Sequence, residues 1–480
     1  MVAFSGYDTY DALGLAGLVA RREVTAAELM EAAFARVDAL NPGLNAVVLE
    51  QREKAMTRAE SDDLAGPFAG VPMLLKDLGC EARDFPTNSG SRLFANTRYD
   101  FDSEIYLRIK RAGFVTFGRT TSPEFGIGPT TEAQVYGGPA RNPWDLSRTT
   151  GGSSGGAGAA VAAGIVPAAH GSDGGGSLRI PASNCGLFAL KATRARLPDG
   201  PASGEGWAGM SIDGFLTRSV RDTAALIDAT QGPDLGAPYW APPVGVPYLE
   251  EIKSPPGRLK IAVMTRTFSG SVVHEDCAAA VEHAAKLCAG LGHEIVATQP
   301  DVDIFGLMRA WVDIVACGTA LTVAGAVTGF GRQPREDEIE GVTRGALEHA
   351  RTVNGADYIA AVNHVHAAGR TMARFFTRCD MLLTPTMAEP PAKLGRFKPD
   401  RTDFLGYRMG PDGVLPYSPF TALFNATGQP AMNVPLFWNA EGLPIGVQFA
   451  GRFGEEAGLL KLATQLELAA PWANMRPKLS

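Results

Sequence analysis

The chain has 480 residues, 45% of them hydrophobic and 20% charged, which is material for one very large core or for two to three ordinary domains. A net charge of −7 without any Lys/Arg-rich block argues against a nucleic-acid or anionic-membrane surface and leaves acidic solubility as the plain reading. The six cysteines (Cys80, Cys185, Cys277, Cys288, Cys317, Cys379) are scattered with no CxxC pair and read as reduced, mostly buried thiols.

The opening segment MVAFSGYDTYDALG lacks the basic stretch and apolar run of a signal peptide. The window AGAAVAAGIVPAA (157–169) is too short to span a bilayer and is broken by Pro167. A cytoplasmic location, with neither membrane nor nucleic acid as partner, is the expectation. Thr25-Ala26-Ala27-Glu28 is a capping box ahead of Leu29, Phe34, Val37 and Leu40 at helical spacing, and Asn41-Pro42-Gly43 is expected to stop that helix. LNAVVLE (44–50) and GVPMLL (70–75) predict short buried strands, and DSEIYLRIKRAG (102–113) predicts a helix leading into the strand FVTFG (114–118). RNPWDLSRTT (141–150), polar and interrupted by Pro143, predicts no strand. Residues 232–257 are dense in Pro and Gly and predict a surface connection. RLKIAVM (258–264) and the segment 274–296 predict strand, helix, strand. Helices are expected from 304 to 378, with strand character resuming in MLLTPT (381–386) and PAMNVPL (430–436). This alternation predicts an α/β fold with a mixed sheet, in one large domain because the glycine-rich middle needs both flanks.

That middle begins with RTTGGSSGG (148–156). A phosphate-binding P-loop needs Lys followed by Ser or Thr, whereas Gly155-Gly156 is followed by Ala157-Gly158. The dinucleotide pattern GxGxxG is also missing, and the apolar run that follows argues against a linker. Gly151-Gly152-Ser153-Ser154-Gly155 fits the G-x-S-x-G elbow with Ser153 as nucleophile, but that motif needs a preceding strand and later an acid and a histidine. The seven histidines (His170, His274, His283, His293, His349, His364, His366) stand in no catalytic setting. His364 and His366 fall on different helix faces, so a metal pair is not expected.

A second serine follows in GSDGGGSLRIPAS (171–183). Gly174, Gly175 and Gly176 offer consecutive N–H groups that can aim at a developing oxyanion beside Ser177. Upstream, Lys76 ends an apolar run, where burial disfavours its charged form. A neutral lysine can serve as base to a serine if its pKa falls from about 10.4 toward neutrality.

Lys76 in GVPMLLKDL (70–78), GGSSGG (151–156) and SDGGGSLRIPASNCGLFALKAT (172–193) together resemble the amidase signature family. The likeness continues through NPWD (142–145), GFLTRSVRDTAALID (214–228), LLTPT (382–386) and FNATGQPAMNVPL (424–436), and so covers most of the chain. GPFAGVPMLLKDL (66–78), SNCGLFALKAT (183–193) and PWANMRPKLS (471–480) also resemble bacterial hydrolases of cyclic and linear nylon oligomers.

The resemblance implies a single α/β domain over 1–480, its mixed central sheet covered by helices on both faces. Within it the catalytic core is expected at about 65–230 and 375–465, with a helical pocket region at about 300–375. It also implies a Ser–cis-Ser–Lys triad: Ser177 as nucleophile, Ser153 as bridging serine after a cis peptide from Gly152, and Lys76 as base. The N–H groups of Gly174, Gly175, Gly176 and Ser177 would form the oxyanion hole, with no metal or cofactor. Ser154, Asp173 and Arg179 are expected to support the loops. Ile127 in EFGIGPTTEAQ (124–134) and Cys317 in the helical region are expected at the substrate pocket, Cys317 being otherwise a small core residue. Two positions depart from the family pattern: Gly174 stands where many members have Thr or Ile, and Thr150 where Pro is common. The expected reaction is hydrolysis of C–N bonds in small, neutral, fairly apolar amides, whether aryl, alkyl, lactam-oligomer or carbamate. Two other readings stay open: an amidotransferase subunit releasing ammonia from glutamine, and an esterase with Ser153 as nucleophile and a histidine base. Homodimerisation is also an open expectation.

Overall fold

The computed structural model describes residues 4–479. Its strands in chain order are β1 (Val47–Val48), β2 (Pro72–Lys76), β3 (Val115–Thr120), β4 (Arg141–Asn142), β5 (Asp145–Thr149), β6 (Ala168–Asp173) and β7 (Phe188–Lys191). Then come β8 (Ile212–Thr217), β9 (Lys260–Val263), β10 (Glu294–Ala297), β11 (Met381–Pro385), β12 (Ala431–Trp438) and β13 (Pro444–Gly451). Eleven join one sheet in the order β1-β3-β2-β6-β8-β7-β12-β13-β11-β9-β10, while β4 and β5 form a separate ribbon. The sheet is mixed: β2 runs parallel to β3 and β6, β6 antiparallel to β8, and β9 parallel to both β10 and β11. Every residue of β2 is buried, as expected of a parallel strand covered on both faces.

The helix Gly155–Ala162 packs on β2, β3, β6 and β8, and the helix Arg179–Cys185 on β7, β12 and β13. Two apolar clusters form, one around β2, β3 and β6 and the other under β9 to β13 and the helices from Ile304 onward. The glycine-rich middle lies between them: Leu178 and Ala182 belong to the first, Ile180 and Phe188 to the second. This is the two-sided support that the sequence called for.

Two expectations need correction. The capping box at Thr25 and Glu28 forms, but its helix runs Ala26–Leu44, through Pro42. Pro42 lies in the last turn, where it gives up only one helical bond, and Asn45 in the left-handed region ends the helix. Residues 141–150 do form strands, as the ribbon of β4 and β5, yet this ribbon stands apart from the main sheet and supplies no elbow geometry. The most apolar long helix is Ile304–Phe330, whose mean hydropathy of 1.7 and length suffice to cross a membrane. Half of its apolar window is buried within the fold, mainly against the helices Gly341–Ala350 and Gly355–Phe375.

Candidate active site

The parallel pairing Leu74↔Ala169 brings the carboxyl ends of β2 and β6 together, so Lys76 ends beside Ser172. Open α/β sheets form their crevices at such strand ends. Lys76 is fully buried, and its Nζ lies 2.7 Å from Ser153 Oγ and 2.9 Å from Ser172 Oγ. Burial pushes the Lys76 ammonium down to about 7, while Asp213 and Asp173 pull it part of the way back up. A neutral amine has one lone pair, so it can accept the Ser153 O–H while donating to Ser172.

Ser153 follows a cis peptide from Gly152. Its loop lies so close to β3 that a Cβ on Gly156 would come within 2.5 Å of the Thr121 nitrogen, which explains a glycine there. The Ser154 N–H donates to the Ser177 carbonyl at 3.2 Å, and the Ser154 hydroxyl bonds the backbone of Ser172. The two loops are thereby tied to each other and to β6.

Asp173 organises the turn that carries Ser177. Its carboxylate accepts from the N–H groups of Gly176 (2.7 Å) and Leu178 (3.1 Å), from Arg179 Nη2 (2.8 Å) and Nε (3.0 Å), and from Asn425 Nδ2 (2.8 Å). Burial alone would raise this carboxyl, but Arg179 first and then Asn425 outweigh it and hold it well below the usual carboxylate range. Arg179 also donates to Thr421 O, Gln448 Oε1 and Asn425 Oδ1. Asp173→Asn would leave Arg179 buried without its carboxylate. It is expected to cost about 3–5 kcal/mol of stability, read as a lowered midpoint in chemical denaturation.

The turn's carbonyls are held from behind. Asn425 Nδ2 holds that of Asp173 (2.8 Å), Trp311 Nε1 that of Gly174 (3.1 Å) and Thr421 Oγ1 that of Gly175 (2.6 Å). In a trans peptide the N–H points opposite to the C=O. The Gly174 and Gly175 N–H groups are thus turned away from these anchors and, like that of Ser177, have no protein acceptor among the described residues. Gly176 departs from the expected set of four, because its N–H is committed to Asp173.

The glycine at 174 also has a local reason: a Cβ there would sit 2.5 Å from Trp207 Cζ3. The indole occupies the room that a larger residue would take. Gly174→Ala is expected to cut kcat about tenfold or more by displacing this donor, and Gly174→Ala/Trp207→Ala to regain part of the loss. Steady-state rates on one substrate test both.

Ser153, Ser172, Gly174 and Ser177 line one cleft of about 310 Å³, walled on its apolar side by Leu78, Ile105, Phe94, Phe125 and Trp207. Ser177 is the more open serine, 9% exposed against 2% for Ser153. Glu81, Asp199 and Asp213 also line the cleft. Burial pushes Glu81 up and, helped by Asp213 and Asp234, takes Asp199 to about 8, so Asp199 is mostly uncharged at neutral pH.

Ile127 is not part of this wall. It lines a separate cavity of about 30 Å³ with Glu124, Glu132 and Glu340, and its carbonyl accepts from Arg408. The left-handed turn at Phe125 and Gly126 gives those two residues the cleft position instead. Cys317 is half-buried on the helix Ile304–Phe330; Thr322, further along that helix, reaches the cleft.

Sequence reading missed Ser172, His170 and Asp213. His170 Nδ1 accepts the Lys76 N–H at 3.3 Å and Nε2 faces Asp213 at 3.2 Å. The signal was the period of two in β6, which puts His170 and Ser172 on one face, with Asp213 directly across from Ser172 in the register. Among the described residues, no histidine bonds either Ser153 or Ser177, so the esterase reading lacks its base.

Comparison with known proteins places the chain in a family. The family model described as Amidase matches residues 28–460. The chain is 38% identical over 478 residues to a 6-aminohexanoate-cyclic-dimer hydrolase from Paenarthrobacter ureafaciens, covering 98% of this chain and 96% of that protein. A structure of 6-aminohexanoate cyclic dimer hydrolase complexed with substrate superimposes with a TM-score of 0.92 at 36% identity, covering 98% of this chain and 99% of the other. A bacterial aryl acylamidase of the amidase signature enzymes superimposes with a TM-score of 0.88 at 26% identity, covering 98% of each chain.

Proposed function

Because this chain belongs to the amidase signature family and is a hydrolase of amide C–N bonds, we propose that Ser177 is its nucleophile, with Ser153 as proton relay and Lys76 as base. The observation that carries the reading is the buried Lys76 Nζ held 2.7 Å from Ser153 Oγ, Ser153 lining the same cleft as Gly174 and Ser177. Neutral Lys76 takes the Ser153 proton as Ser153 takes that of Ser177, whose Oγ attacks the amide carbonyl carbon. The N–H groups of Gly174, Gly175 and Ser177 receive the negative charge that develops on the carbonyl oxygen. As the C–N bond breaks, the proton returns through Ser153 to the leaving nitrogen, and the acyl group stays on Ser177 Oγ. Water, deprotonated along the same path, then releases the acid.

The substrates we assign are small, neutral, fairly apolar amides, cyclic or linear, including lactam oligomers of the kind named for the hydrolase relative. Leu78, Phe94, Phe125 and Trp207 suit such chains, and burial keeps the carboxyl of Asp199 largely uncharged. The catalytic core is assigned to about 65–230 and 375–465, and the helices at about 300–375 to one wall of the pocket, through Thr322. We place the enzyme in the cytoplasm, acting on small molecules without nucleic acid or membrane as partner.

A hydrolysis screen on the purified chain tests this reading. It spans anilides, alkyl amides, lactam oligomers, carbamates, peptide amides and glutamine, with Ser177→Ala as control. Turnover of apolar amides that disappears in the control is expected. Preferred turnover of glutamine would return the amidotransferase reading.

A further inference from the structure

Arg408, on the helix Phe404–Met409, carries a buried charge that no carboxylate answers. It is 6% exposed, and no acidic side chain among the described residues lies within ion-pair distance. Its Nη1 donates to the Ile127 carbonyl at 2.9 Å, and its Nε has no hydrogen-bond partner. Burying a lone cation costs several kcal/mol unless something compensates. What faces the guanidinium is the indole of Trp311, with the ring centroid 4.2 Å from Cζ. A cation–π contact is strongest where, as here, both partners are desolvated. Burial pulls the guanidinium down to about 10, which still leaves it protonated at neutral pH.

Trp311 is itself 2% exposed, and its Nε1–H donates to the Gly174 carbonyl at 3.1 Å. The ring also lies against the turn, since a Cβ on Gly175 would be 3.1 Å from its Cζ2. A cation on the face of an indole draws electron density from the ring and makes Nε1–H a stronger donor. A stronger donor polarises the Gly174 carbonyl, and hydrogen bonds in series reinforce one another where the local dielectric is low. The other end of that peptide is the Gly175 N–H, antiparallel to the carbonyl.

We propose that Arg408 and Trp311 are positioning residues for the oxyanion turn: the guanidinium acts through the indole N–H to fix and polarise the Gly174–Gly175 peptide, whose N–H meets the oxyanion. The proposal rests on Ser177 being the nucleophile. It accounts for a buried cation kept without a counter-ion, because a carboxylate at that place would cancel the field reaching the turn.

The test is steady-state kinetics on one neutral anilide with Trp311→Phe, Arg408→Met, the double variant and Arg408→Lys, each checked for folding by its melting curve. Trp311→Phe is expected to lower kcat about 30-fold, short of the loss of a whole oxyanion donor, with KM within about twofold. Arg408→Met is expected to lower kcat about tenfold alone and less than about twofold on the Trp311→Phe background, since the cation acts through the indole N–H. Arg408→Lys keeps a charge over the ring and should stay within about threefold of the parent. If Arg408→Met does not fold, Arg408→Gln removes the charge while keeping a donor for Ile127, and makes the same comparison.

Additive losses, an unchanged kcat, or a raised KM with kcat intact would each overturn the proposal. A fluorophosphonate probe run alongside separates the two assignments. Label on Ser177 with additive kinetics sinks the relay alone, whereas label on another residue sinks the Ser177 assignment beneath it.

Discussion

Ser177→Ala is expected to abolish turnover, with kcat falling about 10⁵-fold or more, as when a nucleophile acting in a concerted unit is removed. Stability should change by less than about 1 kcal/mol, because the Ser177 hydroxyl makes no hydrogen bond to the protein among the described residues and replacing it leaves no partner orphaned. Ser153→Ala should behave differently on both counts. It breaks the 2.7 Å contact to Lys76 Nζ, so the loss should be that of a proton-transfer step, about 10²–10⁴-fold, with a measurable drop in melting temperature. Mass spectrometry after trapping with a slow substrate then gives the decisive reading. The acyl adduct should map to the peptide holding Ser177 in the parent and in Ser153→Ala, and be missing in Ser177→Ala. An adduct on Ser153, or more than about 1% of parental kcat left in Ser177→Ala, would reverse the two roles; residual rates after loss of a nucleophile are far smaller than that.

The sequence was most legible where chemistry and backbone demand coincide. GGSSGG and SDGGGS declare themselves through glycines that have to approach neighbouring backbone closely, as Gly156 does against Thr121. Lys76 is visible as a charged residue closing the apolar run of β2, and burial of that strand is what lowers its basicity. Residues that act by placement were much harder to read. Ser172 and Asp213 meet only because β6 and β8 pair in one register, and no local pattern reports a register between strands so far apart in sequence. Trp207 and Trp311 converge on the Gly174 turn from distant segments, so the reason for glycine at 174 lies outside its own motif. Ile127 was expected in the cleft but turned out one step beyond it, because the left-handed pair Phe125 and Gly126 swings the chain, and positive φ at a phenylalanine is not a preference that sequence announces. The same holds for the helix through Pro42, where the cost of proline depends on how near the helix end lies.

Lys76→Met is expected to remove activity and, near neutral pH, to raise stability. Bringing the ammonium from 10.5 down to about 7 corresponds to about 5 kcal/mol of destabilisation carried by the folded state at low pH. The sign follows from proton counting. Between pH 7 and 10.5 the unfolded chain holds a proton on Lys76 that the folded chain lacks, so stability from this group rises with pH across that window. Below it the penalty is present in full. Methionine fills similar space with no charge to desolvate, but it leaves the hydroxyls of Ser153 and Ser172 without their partner, at about 1–3 kcal/mol. The variant should therefore be more stable than the parent by about 2 kcal/mol at pH 7, and this margin should vanish or change sign by about pH 10 as the parent sheds its penalty. Its kcat should fall about 10⁴-fold or more, since among the described residues no other group bonds Ser153 Oγ to take its proton. The parent's kcat/KM should rise with pH through about 7, where Lys76 becomes neutral. Denaturation midpoints for both chains at several pH values, set beside the parent's pH–rate profile, test the two halves together. A stability difference that ignores pH would show that Lys76 is charged in the fold. A flat profile from pH 5 to 9 would show that its proton does not govern the reaction. Both outcomes would undo the assignment of Lys76 as base, because an amine can accept the proton from Ser153 only if the fold has first stripped it of its own.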